Sequence, residues 1–257
     1  MADASRRKFL ARAAATASAA VLAGCDKISQ SPTGQNVLSS AENLTRSVQR
    51  LFAGRSALAP EFTRADIAPV FRANGTLNPN SDDYDAQVAS QFRDWRIAVR
   101  GLVDHPYDLS IAELRALPSR TQITRHDCVE GWSCIGEWTG APLAQILMKA
   151  GPMPSAKYVV FHCADDWSND DAHPLYYYES LDMVEAMHPQ TILAYDLNGA
   201  PLPVANGAPV RLRAERQLGY KMAKYVNGIE LVDDFGHING GKGGYWEDQG
   251  YTWWAGI

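Results

Sequence analysis

Cys128 is the residue from which the chemistry of this chain is best read. It stands in Arg125-His126-Asp127-Cys128-Val129-Glu130-Gly131-Trp132, three residues after an arginine and closed off by Gly131 and Trp132. It follows a polar stretch, residues 121–127, rather than an apolar run, so core filling alone does not account for it. By residue type it is either an inert buried thiol, which is common, or a metal ligand. A second group of residues is Asn206-Gly207-Ala208-Pro209-Val210-Arg211-Leu212-Arg213, continued by Gly219-Tyr220-Lys221-Met222-Ala223-Lys224. It supplies amide donors, guanidinium and ammonium, the groups that a phosphate-bearing ligand needs. The same residues also suit a basic strand face with a solvated loop. Asp165-Asp166 and Asp170-Asp171 flank Trp167-Ser168-Asn169, but their spacing matches no calcium loop, and an acidic solvated loop at the mouth of the site is expected there.

The elements that must position these residues are short and mixed. Residues 26–37 are rich in Ser, Pro, Gly and Gln and read as a flexible tether. Ser39 or Ser40 opens a helix through Arg50, with Gly54 as its stop. Residues 95–99 alternate as a half-buried strand ending at Gly101. Ser110-Ile111-Ala112-Glu113 is a capping box for a short helix to Pro118, which leads into the Cys128 loop. Trp138-Thr139-Gly140-Ala141-Pro142-Leu143 returns to an apolar helix start, and that helix buries Leu143, Ile146 and Leu147 before Gly151. Further strands are expected at 158–161, 191–195, 209–213 and 225–231, and a helix capped by Ser180 ends before Pro189. Without regular βαβ alternation or a Gly-rich nucleotide turn, the class is α+β rather than doubly wound. Tyr176-Tyr177-Tyr178 suits a cleft wall or core packing, and the aromatic tail from Tyr245 to Trp254 docks the C-terminus.

The chain has 257 residues, 46% hydrophobic and 21% charged, enough for a sizeable core. Its net charge of −5 and the lack of a basic patch interleaved with aromatics argue against nucleic acid as a partner. Ser5-Arg6-Arg7-Lys8-Phe9-Leu10 matches a twin-arginine export signal, and the small-residue run to Ala23 is too short and mild for a membrane span. Leu22-Ala23-Gly24-Cys25 matches a lipoprotein cleavage box, with Cys25 as the lipidated residue of a periplasmic protein. Residues 1–24 then form the signal, 25–60 a tether with a short amphipathic helix, and 61–257 the functional domain. Loss of Arg6, Arg7, Lys8 and Arg12 against Asp3 takes the net charge from −5 to −8. With Cys25 lipidated, Cys128, Cys134 and Cys163 remain, an odd number that leaves at least one unpaired.

From Phe62 onward the chain resembles the catalytic domains of the sulfite oxidase-like molybdopterin oxidoreductases, in the haem-free branch that includes periplasmic methionine sulfoxide reductases. The resemblance rests on Val70-Phe71-Arg72-Ala73-Asn74, on the Cys128 segment and on residues 206–224. It implies a mixed-sheet α+β domain of the sulfite oxidase type, and the 33 residues after Lys224 are too few for the immunoglobulin-like domain of sulfite oxidases. A monomer is the default that follows. The resemblance further implies a Mo-molybdopterin cofactor with Cys128 as its thiolate ligand and catalytic residue. Phe71, Arg72, Asn74, Asn206 and Arg211 would contact the pterin, and Met222, Ala223 and Lys224 its phosphate end. Cys163 falls where relatives often have a cofactor-contacting threonine. The implied reaction is oxygen-atom transfer to or from a small-molecule or protein-bound oxide. In the absence of a Cys-x-x-Cys-His haem motif, a cytochrome- or quinone-linked carrier must exchange the electrons. Sulfite-oxidising members carry arginines after the metal cysteine. Val129, Glu130 and Trp132 stand there instead, which favours reduction of a sulfoxide over a sulfite-type dehydrogenase. Arg125, Arg213, Arg216 and Lys221 are the residues that could restore positive charge. A cofactor-free lipoprotein binding module is the remaining alternative, and intact Cys128, Asn206, Arg211 and Lys224 speak against it.

Overall fold

The structure, a computed structural model, describes residues 31–168 and 173–257. Arg6-Arg7, Cys25 and Asp170-Asp171 lie outside the described residues. The chain divides into two compact units, one up to Phe52 and one from Ala53 to Ile257. In the first, helix α1 (Pro32–Ala53) begins well before Ser39 and takes up half of the expected tether. Ser31-Pro32 explains the early start, because proline is favoured at the first helical position, where its missing N–H costs nothing. Gly54, at φ +76°, ends it.

The second unit holds two sheets. In the first, β1 (Arg96–Gly101) lies between β2 (Tyr107–Ser110) and β10 (Val226–Val232), and β10 continues to β5 (Tyr158–Asp166) and β6 (Tyr176–Asp182). The β1–β10 pair is parallel and the other pairs are antiparallel, so the sheet is mixed. In the second, β3 (Arg120–Asp127), β4 (Ser133–Pro142), β7 (Ile192–Leu197) and β8 (Ala200–Pro201) follow in order, with β9 (Arg211–Arg213) also on β7. Short helices complete the unit: α2 (Asp82–Ala89), α3 (Ile111–Ala116), α4 (Leu143–Ala150), α5 (Met183–Ala186) and α6 (Tyr245–Asp248). The expected α+β class with a mixed sheet is the one found.

Helix α3 starts at the expected capping box: Ser110 Oγ accepts from Glu113 N at 3.2 Å, and Glu113 accepts from Ser110 N at 2.9 Å. Helix α4 buries Leu143, Ile146, Leu147 and Ala150 completely in the main core, at roughly 1.5–3 kcal/mol per large side chain.

Three assignments are corrected. The polar stretch before Cys128 is strand β3, whose inward residues Gln122, Thr124 and His126 are buried although none is apolar. Its backbone pairs with β4 from Arg120↔Gly140 to Asp127↔Ser133, and this ladder outweighs the missing hydrophobic alternation. Trp138 to Pro142 accordingly belong to β4, and the helix begins only at Leu143. Ser180 lies inside β6 and caps nothing. The short α5 is capped by Asp182, whose carboxylate accepts from Glu185 N at 3.0 Å. Aromatic residues at 176–178 pair with β5 and carry the chain on as strand.

Candidate active site

Strands β3 and β4 form a hairpin, and Cys128 opens its loop. Gly131 N donates to Cys128 O at 3.0 Å and Cys128 N to Trp132 O at 2.9 Å, which closes a tight turn with Val129 and Glu130 at its tip. Gly131 takes φ +87°, a left-handed conformation that glycine adopts without penalty. Residues 68–76 cross this hairpin: Ala68 N bonds Ile135 O at 3.0 Å, and Phe71 packs edge-on against Trp138 at 4.9 Å. A Cβ at residue 136 would meet the Phe71 ring at 2.8 Å, so only glycine admits that crossing. The segment brings the Asn74 amide to Cys128, where Nδ2 donates to Sγ at 3.4 Å.

Cys128 lines a cavity of about 360 Å³. Phe71, Arg72, Asn74, Arg211, Met222 and Lys224 share its wall with Cys128, so residues from three distant parts of the sequence converge. Cys163, Asn206 and Ala223 do not line it. Cys163 is buried, and burial pushes its thiol well above the ordinary range. Asn206 lies behind Arg211, whose Nη1 donates to its carbonyl at 3.0 Å.

Arg211 and Lys224 are held by carbonyls. Arg211 donates to Asn206 O and Met222 O, while Lys224 Nζ donates to Asn74 O at 2.9 Å, Ala205 O at 3.1 Å and Thr76 O. Among the described residues neither forms an ion pair with a carboxylate. Burial, and secondarily Arg211, depress the Lys224 ammonium to about 7, and burial with Arg213 lowers Arg211 to about 9. One buried and one half-buried basic group, neither in an ion pair among the described residues, suit this end of the cavity to an anion. Arg211 Nε and Asn206 Nδ2 are buried donors with no partner.

The other basic residues are already neutralised. Arg125 pairs with Asp127, Arg216 with Glu185, and Lys221 with Glu179 and Glu247. Arg213 pairs with Glu215, both fully buried, and its Nη1 donates to His126 Nδ1 at 2.8 Å. Burial, then Arg213, hold the His126 imidazole well below its usual range, so it is neutral with Nδ1 as acceptor. Each of these four residues is therefore already paired with a carboxylate, Arg125 at the surface and the other three in the interior.

Asp165 and Trp167, from the loop expected at the mouth of the site, line the wall, although Asp165 is buried and not solvated; the sequence reading assigned no site role to His126, Tyr220, Trp246 and Tyr251. Burial pushes the Asp165 carboxyl up, while its bond from Trp167 Nε1 at 2.9 Å pulls it down. Trp246 and Tyr251 stack at 5.1 Å, with Tyr220 edge-on to Tyr251 at 5.3 Å, so the C-terminal segment builds an aromatic wall. Only the concentration of Trp and Tyr in the last thirteen residues hinted at this.

Residues 85–236 match the family described as oxidoreductase molybdopterin binding domain. The chain is 37% identical over 252 residues, 98% of its own length and 87% of the relative's, to the putative protein-methionine-sulfoxide reductase subunit YedZ1 of Azospira oryzae. It is 34% identical to the protein-methionine-sulfoxide reductase catalytic subunit MsrP of Xanthomonas axonopodis pv. citri, covering 89% of this chain and 70% of that one. Among solved structures, the sulfane dehydrogenase SoxCD from Paracoccus pantotrophus superposes with a TM-score of 0.50 at 25% identity. That match covers 55% of this chain and 39% of SoxCD.

Proposed function

The chain belongs to the molybdopterin-binding oxidoreductase family, and from that premise we propose that it reduces a sulfoxide, free or carried on a methionine side chain, to the thioether. It is a molybdenum cofactor-dependent oxidoreductase. The cavity suits that cofactor on chemical grounds. Cys128 offers a sulfur at its wall, and Asn74 donates to that sulfur as it would to a thiolate. Arg211 and Lys224 would take the phosphate end, where charge-assisted bonds are the strong ones. The partnerless Arg211 Nε would serve an acceptor of the ligand. When bound, the cofactor supplies oxygen-atom transfer and the two-electron redox chemistry.

The chain's own residues do the rest. Arg213 fixes the ring of His126 beside the Cys128 turn, and Asn74 orients the thiolate. The observation that carries the sulfoxide reading is the aromatic wall of Tyr220, Trp246 and Tyr251 on the cavity that holds Cys128. Aromatic rings attract the methyl groups and sulfur of a thioether, and they offer nothing to a bare dianion. Reduction consumes two electrons and two protons per sulfoxide and releases water. The electrons come from a separate carrier, in keeping with relatives that are named as subunits.

The deciding experiment uses protein purified from a molybdenum-replete host. With an artificial low-potential donor it should contain molybdenum and reduce methyl sulfoxides faster than it oxidises sulfite with an acceptor. Sulfite oxidation without sulfoxide turnover would establish a sulfite-type dehydrogenase instead. Export through the twin-arginine motif and lipidation at Cys25 belong to the same proposal. Arg6-Arg7→Lys-Lys should retain the precursor in the cytoplasm, and Cys25→Ser should free it from membranes. A Cys25→Ser protein that fractionates as wild type does would reject the lipid.

A further inference from the structure

Three side chains at the cavity mouth form a closed set. The Arg72 guanidinium lies 4.7 Å from the ring centre of Trp132. The Trp132 indole N–H donates to Glu130 Oε2 at 3.0 Å, and the same oxygen is 3.9 Å from Arg72 Nη2. Trp132 is anchored from beneath, packed against the cluster of Phe71 and Trp138 and 5.6 Å from the His126 ring. Arg72 and Glu130 are both more than half exposed and both line the cavity. Arg125, Arg213, Arg216 and Lys221 are neutralised by carboxylates, and Arg211 and Lys224 are engaged with carbonyls. Among the described residues Arg72 is thus the one cation of the cavity wall that faces open solvent, and Glu130 is its carboxylate partner.

We propose that Glu130 and Trp132 hold Arg72 as a neutral pair and so set the charge selectivity of the mouth. A neutral S=O group then approaches without an electrostatic penalty, while a dianion finds no free cation at the mouth, Arg211 and Lys224 being reserved for the phosphate end of the cofactor. This inference rests on the cavity being the substrate site, but not on the direction of the reaction. It differs from simple repulsion by Glu130, because the effect of the carboxylate runs through Arg72.

The test is a double-mutant cycle on the cofactor-loaded full-length protein, with sodium sulfate as an unreactive dianion. Its affinity is read by calorimetry and by competition with a sulfoxide substrate, at fixed ionic strength. An exposed ion pair and an exposed cation–π contact are each weak, so Glu130→Gln should tighten sulfate binding by about three- to tenfold. In an Arg72→Ala background the same Glu130→Gln change should give little of that gain. Two results overturn the proposal: no gain in Glu130→Gln, or a gain in the Arg72→Ala background that is more than half as large on a logarithmic scale. The second result would mean that Glu130 acts by direct repulsion.

Discussion

Glu215→Gln tests how the cavity wall is held in place. Arg213 and Glu215 are both fully buried, and Arg213 donates through Nε at 3.0 Å and through Nη2 at 2.5 Å to the two carboxylate oxygens. Gln122 Nε2 adds a bond to Glu215 Oε1 at 2.9 Å, and the guanidinium lies 4.3 Å from the Trp138 ring centre. Glutamine preserves the shape and one acceptor but strands the Arg213 charge in a dry interior. Breaking a buried pair by removing one partner costs about 3–5 kcal/mol, and the retained acceptor returns part of it, so a net loss of about 3 kcal/mol is expected. Against a typical stability of about 5–15 kcal/mol, that loss is easily resolved. The assay is equilibrium urea unfolding at pH 7, with the midpoint moving and the slope unchanged. The double variant Arg213→Met/Glu215→Leu replaces both charges by apolar groups and should be less destabilised than Glu215→Gln alone. A loss below about 1 kcal/mol in the single variant, or a double variant worse than the single, would refute this reasoning. Because Arg213 also holds His126 beside Cys128, cofactor content should fall in the single variant.

Cys128→Ala should abolish the thiolate-to-metal absorption and the molybdenum-linked activity while unfolding at the wild-type midpoint; Cys134→Ala, whose buried thiol sits 3.7 Å from the Val70 carbonyl, should keep both. Lys224 has a pKa of about 7 in the folded cofactor-free protein against roughly 10.4 unfolded, so between those values the unfolded chain holds more protons and stability rises with pH. Unfolding of cofactor-free protein should show a gain on the order of 4 kcal/mol from pH 7 to pH 10 that Lys224→Met largely removes; equal slopes in the two proteins would show that the ammonium is not strained.

Much of this protein was legible in its sequence, because local signals and motif chemistry need no neighbours. Ser110 and Glu113 announced helix α3, and Leu143, Ile146 and Leu147 announced the buried face of α4. Cys128, Arg211 and Lys224 stood out through the resemblance to the molybdopterin oxidoreductases, since by residue type alone an inert thiol and a basic strand face fit them as well. What required the tertiary structure was everything decided by partners distant along the chain. Residues 120–127 lack apolar alternation, and only pairing with β4 and the buried polar contacts of Gln122 and His126 make them a strand. The charges show the same division. The sequence displays Arg72, Arg125, Arg213, Arg216 and Lys221 as equal cations near a site, but a charge counts only after its nearest opposite charge is known. Folding gives Arg213 to Glu215, Arg216 to Glu185 and Lys221 to Glu179 and Glu247, and it leaves Arg211 and Lys224 with no carboxylate partner among the described residues. Composition fixes how many charges there are, and their free energies depend on distance and burial, which only the folded chain sets.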